Sequence, residues 1–351
     1  MLRGSAPSSL SMNVRVNEIA VANPASSYTQ EQMLTLLGLA EDPFAQTVFA
    51  RCGVERRHFE LTPDVLGTTL QERTVQTEEQ LLRLAIEAID RLALDPAEIG
   101  TVITATYYSL GGPTLAHKLL AHYGMDPATD KYHVVGVGCA SAVPLFKIAS
   151  QSMRDHPGKH ALVVAAESIT GFLTAVDADD EQVKTIGSSL FGDGCAAALL
   201  TNGASTAGPS IVAARQHQIE DTLGTVHFRL NGDDSFMQIG RELPKLARLR
   251  LGELVDEFLA AAGTEHAAID HWVVHPGGRG IIDGVQHGLS LTDEQVEISR
   301  DVLAQFGNMG TPSSFYVLRE TIARRAPQAG ERGLMVTIGP GVTVGLMLLG
   351  W

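Results

Sequence analysis

The chain has 351 residues, of which 44% are hydrophobic and 19% charged, with a formal net charge of −14 and a pI near 5.3. That is enough chain for one large globular domain or two ordinary ones, with a substantial core. The negative balance argues against a phosphate backbone or an anionic membrane surface as the main partner, so neither nucleic acid nor a bilayer is expected, and only a local basic patch stays open.

Three cysteines, Cys52, Cys139 and Cys195, are too few and too scattered for a disulfide framework, and no CxxC pair suggests zinc, so no metal is expected. The opening MLRGSAPSSLSMN carries one arginine but no apolar run of signal-peptide length. No later segment approaches about 18 apolar residues without turn formers. The expectation is a soluble cytoplasmic protein with a flexible leader over residues 1–11 and Met12 as an alternative start.

Along the chain, the capping box Thr77-x-x-Gln80 followed by Leu81, Leu84, Ala85, Ala88, Ile89 and Leu92 predicts an amphipathic helix over residues 77–94. TVITATYY from Thr101 predicts a strand, Gly111-Gly112 a turn, and HKLLAHYG a helix. YHVVGVG (132–138) then predicts a buried strand that closes in a turn at Cys139. LFKIASQSM from Leu145 predicts the next helix, and HALVVAAE from His160 and CAAALLT from Cys195 predict further core strands. The order is α/β, without a long linker or low-complexity segment.

The passage also repeats. LDPAEIGTVITATYYSLGGPTLAHKLLAHYG, GVGCASAVPLFKIASQ and HALVVAAES are followed, later in the chain, by EHAAIDHWVVHPGGRGIIDGVQHGLSL, FGNMGTPSSFYVLRE and GLMVTIGPG. Each set runs strand, Gly-Gly turn, helix, glycine-led turn and helix, strand. Asp270 lies 170 residues after Gly100, and Asn308 lies 169 after Cys139, so the register holds to one residue. Two similar α/β halves packed about a pseudo-twofold axis bring Cys139, His275 and Asn308, each at the end of a strand or the start of a helix, toward a common crevice.

Taken singly, these three have ordinary readings as a small core thiol, a satisfied core histidine and a turn asparagine. Together they suit nucleophilic catalysis. A thiol attacks a carbonyl as thiolate, favoured by a helix N-terminus or a neighbouring imidazole. Pro144 moves the expected helix start toward Ser141, which aims its dipole slightly past the sulfur and gives the histidine more weight. His275 ends the strand HWVV and precedes Pro-Gly-Gly, which stops the strand and lets a ligand approach the backbone. Asn308 follows Gly307, the expected end of a helix begun by the capping box Thr292-x-x-Gln295. Cys, His and Asn in that order also describe papain-like hydrolases. The mid-chain nucleophile in a duplicated α/β unit fits a duplicated thiolase-like fold better, with two similar halves packed as layered αβαβα.

GVGCASA, HPGGRGIID and FGNMGTPSSFYVL resemble the three signature segments of the type III polyketide synthases, the chalcone synthase-like family. ERRHFELTPDVL from Glu55, LFGDGCAAALL from Leu190 and IGPGVTVGLML from Ile338 resemble further family blocks in the right order, so the likeness spans roughly residues 45–350. The HPGG segment with a Gly-Asn whose asparagine lies 33 residues after the histidine is the specific part. The resemblance implies halves at 12–205, carrying the nucleophilic Cys139, and 206–351, carrying His275 and Asn308. It implies an acyl-CoA starter loaded on Cys139 as a thioester, with His275 holding the thiolate. Malonyl-CoA then loses CO2 while His275 and Asn308 donate hydrogen bonds to its thioester carbonyl, and the carbanion attacks the acyl-cysteine. Coenzyme A thioesters are the substrates, no further cofactor is implied, and the family implies a homodimer.

By the same alignment Arg51, Arg56, Arg57, Arg279 and Gly280 are expected at the coenzyme A tunnel, while Glu55 stands where the family has a basic residue. Phe191 matches a gatekeeper phenylalanine, Phe172 and Leu173 fall on the starter pocket, and Phe228 is a candidate second gatekeeper. Ordinary core packing is the alternative for these, and for Phe228 it reads equally well. Gly310, where plant members often carry serine, is expected to open space beside the site. Ala142 and Val143 replace two family glycines, and YYSLGGP lacks the methionine that plant members push into the neighbouring subunit. The apolar wall favours a short or aliphatic acyl starter. Two other readings stay open. One is a ketoacyl synthase III-like enzyme making a single condensation, which an acidic carrier protein would disfavour against an acidic surface. The other is a catalytically silent homologue serving as a dimer partner.

Overall fold

Small and β-branched apolar runs form strands here, and capped amphipathic runs form helices, over the residues that the computed structural model describes: 14–60, 69–107, 109, 111–169, 182–202, 208–231 and 234–351. The first half contains β1 (Val14–Ala22), β2 (Ser27–Thr29), α1 (Gln30–Leu36), α2 (Pro43–Arg51), β3 (Arg56–His58), α3 (Leu70–Ile89), β4 (Ile99–Ala105) and α4 (Leu115–Tyr123). It continues through β5 (Asp130–Val134), α5 (Ala142–Ser152), β6 (His160–Glu167), α6 (Gln182–Leu190) and β7 (Gly194–Asn202). The second half contains β8 (Ser210–Gln218), β9 (Val226–Asn231), β10 (Asp234–Ile239), α7 (Leu243–Ala261), β11 (His271–Val274), α8 (Arg279–Gly288), α9 (Asp293–Phe306), α10 (Thr311–Arg325), β12 (Arg332–Gly339) and β13 (Thr343–Gly350).

Nine strands run in the order β11-β12-β13-β8-β1-β7-β6-β4-β5. The order is a near-palindrome of the repeat: β11, β12, β13 and β8 stand where β4, β6, β7 and β1 stand in the other half. The halves meet where β1 and β8 pair at Arg15 and Ser210. Among the described residues β5 has no strand counterpart, and the second half has α9 in the corresponding stretch. Helices α5 and α10 lie between the two halves of the sheet, α5 against β4, β6, β8 and β13, and α10 against β1, β6, β7, β11 and β12. Phe146 of α5 stacks on Phe315 of α10, ring centroids 4.9 Å apart. Helices α3 and α4 cover one outer face and α7 and α9 the other, which gives the five αβαβα layers.

The two central helices begin 169 residues apart, the separation of Cys139 and Asn308. Thr311 to Leu318 at the start of α10 are all buried, since layers close on every side of that helix. A small-polar and apolar mixture, TPSSFYVL, is what such a position accepts.

Two expectations are corrected. Helix α3 starts at Leu70, not near Thr77: Thr69 is its N-cap, with Glu72 completing the box. Thr77 and Gln80 lie within the helix on its buried face, where Gln80 Nε2 donates to Asp193 Oδ2 at 2.7 Å and Gln80 Oε1 accepts from Ser168 Oγ at 2.8 Å. Of this polar pair spaced like a cap, Gln80 is hydrogen-bonded internally, while the Thr77 hydroxyl is buried with no hydrogen-bond partner among the described residues. Among the described residues strand β5 is an edge strand paired only to β4, and it is partly exposed along its length, Tyr132 most of all. The expected leader (1–11) and half boundary (205/206) lie outside the described residues.

Candidate active site

Cys139 stands in a single 3-10 turn, Gly138–Ala140, between β5 and α5. Helix α5 takes Ser141 as its N-cap, so Pro144 falls at the third helical position and costs no internal hydrogen bond. The turn leans on the other half of the molecule: a Cβ on Gly339, the last residue of β12, would lie 2.6 Å from the Ala140 nitrogen. Only glycine allows that approach. Thr311 Oγ1 of α10 donates to Gly138 O at 2.9 Å, a second tie across the halves.

His275 follows β11 directly and donates its backbone N–H to Val336 O at 2.9 Å, which continues the sheet by one rung. Its Nδ1 lies 3.2 Å from Ser314 Oγ, while Nε2 is buried and has no hydrogen-bond partner among the described residues. With Nδ1–H donating to the serine, Nε2 carries a free lone pair. Asn308 is fixed through its backbone: its N–H donates to Leu190 O at 2.8 Å, and its carbonyl accepts from Gly192 N at 3.2 Å. Asn308 Oδ1 accepts from Gly310 N at 2.9 Å and, at 3.8 Å, from the Cys139 thiol. Its Nδ2 donates to Gly277 O at 3.3 Å, which leaves the second amide hydrogen for a ligand.

Cys139, His275, Asn308 and Phe191 line one small cavity of about 30 Å³ whose remaining wall is apolar. It shares Gly277, Ile239 and Ile281 with a larger outer pocket of about 320 Å³ that reaches Arg51, Arg241, Arg279 and Gly280. The two pockets therefore adjoin, one bearing arginines and the other the sulfur.

The surroundings penalise charge on each group alone. Burial pushes the Cys139 thiol from 9.0 up to about 12, with the carboxyl of Glu167 adding to it and the Asn308 hydrogen bond opposing it. Cys139 is partly exposed as a residue, yet its thiol is walled closely enough to lose most of its hydration. Burial lowers His275 to about 3. Either ion alone is poorly solvated here, which suits the ion pair that the resemblance implies, formed by proton transfer from sulfur to imidazole.

The structure sorts the remaining expected residues. Arg51, Arg279 and Gly280 line the outer pocket. Arg56 is exposed and off its lining, and Glu55 is turned to α9, where Gln305 Nε2 donates to it at 3.2 Å. Arg57 is corrected outright. It is wholly buried, donates to main-chain carbonyls rather than facing the pocket, and is carried by burial from 12.5 down to about 9. β3 alternates, so of two adjacent arginines one must point inward. Phe228 stacks edge-on against Tyr107 at 5.1 Å and is off the lining of the cysteine cavity. Phe172 and Leu173 lie outside the described residues. Gly310 opens no space: with φ at +67°, its missing Cβ is the room taken by Glu167, whose Cγ would be 3.2 Å away.

Residues not foreseen include Ser314, Arg241 and Glu167. Ser314 had a signal, a small polar residue in a segment otherwise built for the core. Arg241 had none, as it sits in the loop between β10 and α7. Glu167 is buried, accepts from Tyr107 N at 2.8 Å, and is raised by burial from 4.5 to about 8. Below about 4.5 both folded and unfolded chains hold this proton; between there and about 8 only the folded chain does, so its contribution to stability is lost as pH rises through that window. Denaturant midpoints measured across it should fall for the wild type and stay flatter for Glu167→Gln; parallel curves would reject this assignment.

Comparison with known proteins agrees with this geometry. Residues 23–218 match the family described as FAE1/type III polyketide synthase-like protein, and residues 210–350 match the C-terminal domain of chalcone and stilbene synthases. The chain is 33% identical over 332 residues to the alpha-pyrone synthesis polyketide synthase-like Pks18 of Mycobacterium tuberculosis, covering 91% of this chain and 80% of that one. The chain belongs to the type III polyketide synthase family.

Another relative of this type III polyketide synthase is the 3,5-dihydroxyphenylacetyl-CoA synthase of Streptomyces toyocaensis, 26% identical over 96% of this chain and 90% of that one. The crystal structure of 1,3,6,8-tetrahydroxynaphthalene synthase from Streptomyces coelicolor superposes with a TM-score of 0.86 at 22% identity, over 96% of this chain and 99% of that one. That likeness establishes the duplicated thiolase-like fold. The enzyme is an acyltransferase of the condensing kind. Among its described residues no helix is long and apolar enough to cross a membrane, and no cluster of three or more His, Cys, Asp or Glu side chains is placed to hold a metal.

Proposed function

We propose that this enzyme loads an acyl group from a coenzyme A thioester onto Cys139 and extends it with malonyl-CoA. The observation that carries the reading is the convergence of Cys139, His275 and Asn308, from both halves, on one small cavity that adjoins a pocket lined by Arg51, Arg241 and Arg279. The arginines suit the phosphates of coenzyme A, and the narrow apolar passage suits its pantetheine arm.

In the loading step His275 Nε2 takes the thiol proton, the sulfur attacks the acyl carbonyl, and coenzyme A thiolate leaves. In the extension step malonyl-CoA loses CO2, and the electron pair left behind is held as an enolate. The protonated His275 Nε2 and the free Asn308 amide hydrogen donate to its oxygen. The enolate carbon attacks the acyl-cysteine and expels the thiolate, so the longer acyl chain returns on coenzyme A for another round or for ring closure. The small space beside the sulfur favours a short or aliphatic starter. All the residues for a full cycle are present, which favours an active enzyme over a silent partner. The free edge of β5, with Tyr132 and Val135 exposed, supports a homodimer, and reliance on coenzyme A thioesters supports a cytoplasmic enzyme.

Purified protein given malonyl-CoA and a panel of acyl-CoA starters should release CO2 and yield extended products whose masses report starter and extension number. Neither CO2 nor an acyl-enzyme with any starter would sink the proposal. The charge pairing has its own test. The pH midpoint of Cys139 alkylation by iodoacetamide should lie higher in His275→Ala than in wild type, because burial and Glu167 raise the thiol and the variant has no imidazole to take its proton. An unchanged midpoint would remove His275 from this role.

A further inference from the structure

Arg57 is buried at a junction, not at a surface. Its strand β3 pairs with β2, and the side chain runs inward between the faces of Phe49 and Phe59, 5.7 and 5.3 Å from their centroids. Nη1 donates to Ser188 O at 2.6 Å and Phe191 O at 2.9 Å, and Nη2 donates to Gln30 Oε1 at 2.9 Å. No carboxylate pairs with it among the described residues. Its charge is met instead by carbonyls at the C-terminal end of α6, the negative end of that helix. A cation so expensive to bury is not needed for packing alone, since an apolar side chain of its size would fill the space.

What it holds is the segment that holds Asn308. Leu190 and Gly192 bond the backbone of Asn308 on both sides, and Phe191 and Asn308 form a bridge between the two segments. The arginine stem is the floor beneath both: its Cγ and Cδ lie 2.9 and 3.0 Å from where a Cβ on Gly307 would stand, and its Cβ lies 3.4 Å from the same point on Gly192. Neither the Cys139 turn nor His275 hydrogen-bonds to it.

We infer that Arg57 is a positioning residue that sets the Asn308 amide and the Phe191 side chain at the cavity, and that it serves decarboxylation rather than acyl loading. The inference rests on the proposed reaction, and the wild-type control keeps the two separable: loss confined to the variants bears on Arg57 alone. Arg57→Met and Arg57→Lys, first checked for folding by circular dichroism and thermal melting, are assayed for acyl-Cys139 by intact mass and for CO2 release from malonyl-CoA. In Arg57→Met, loading should stay within about threefold of wild type while decarboxylation drops at least about tenfold, the order of a lost positioning contact. Arg57→Lys should recover part of it, because an ammonium reaches a carbonyl but lacks the guanidinium fork. Adding Arg57→Met to Asn308→Ala should cost nothing more, since the first acts through the second. Equal losses in both half-reactions, or fully additive losses in the double variant, would overturn the inference; Arg57→Lys carries the same comparison if the methionine variant does not fold.

Discussion

Cys139→Ala is expected to fold normally yet form no acyl-enzyme with any acyl-CoA, and to make extended product at less than about a thousandth of the wild-type rate. The other thiols offer no substitute. Cys52 lies in the outer pocket, its sulfur accepting from Gln30 Nε2 at 2.9 Å, and Cys195 is wholly buried in β7 with its pKa driven up. Folding should survive because the turn is held by main-chain contacts of its neighbours: Thr311 on Gly138, and the close approach of Gly339 to Ala140. Intact mass after incubation with acyl-CoA decides the matter. An adduct that persists on the alanine variant would move the nucleophile elsewhere. Decarboxylation alone should fall less than product formation, since His275 and Asn308 remain to hold the enolate.

How much of this was legible depends on range. The duplication could be read because each half repeats the same local chemistry, apolar strand, glycine turn and helix, and the 169-residue offset then placed Asn308 opposite Cys139 before any contact was known. The three reactive residues were legible for the same reason: each stands where a strand ends or a helix begins. What failed was direction. Arg57 reads as a surface cation by type, although the alternation of a strand already requires one of Arg56 and Arg57 to face inward. Thr77 and Gln80 have the spacing of a cap, but the same spacing puts two polar groups on one helix face, where a distant Asp193 and Ser168 satisfy Gln80. Gly310 reads as empty room because its neighbour in space, Glu167, is 143 positions away in the chain. The electrostatic state of the sulfur was least accessible, since it is set by how closely both halves wall it in.

Asn308→Ala is the second large effect expected: CO2 release from malonyl-CoA should fall by about a hundredfold to a thousandfold, the usual result of deleting one preorganised donor at a developing oxyanion. Loading should change far less, because the attack of sulfur on an acyl carbonyl leans on His275. The variant also loses the acceptor for Gly310 N–H and for the thiol, so a modest shift in thiol reactivity accompanies it. Asn308→Asp separates these effects. It keeps an oxygen for Gly310 and nearly the same shape, but sets a negative charge where the enolate forms and beside a sulfur that already suffers from Glu167. It should therefore decarboxylate no better than alanine and load more slowly, with its alkylation midpoint raised. If Asn308→Asp instead retained wild-type decarboxylation, the amide hydrogen would not be the donor, and the burden of holding the enolate would pass to His275 alone.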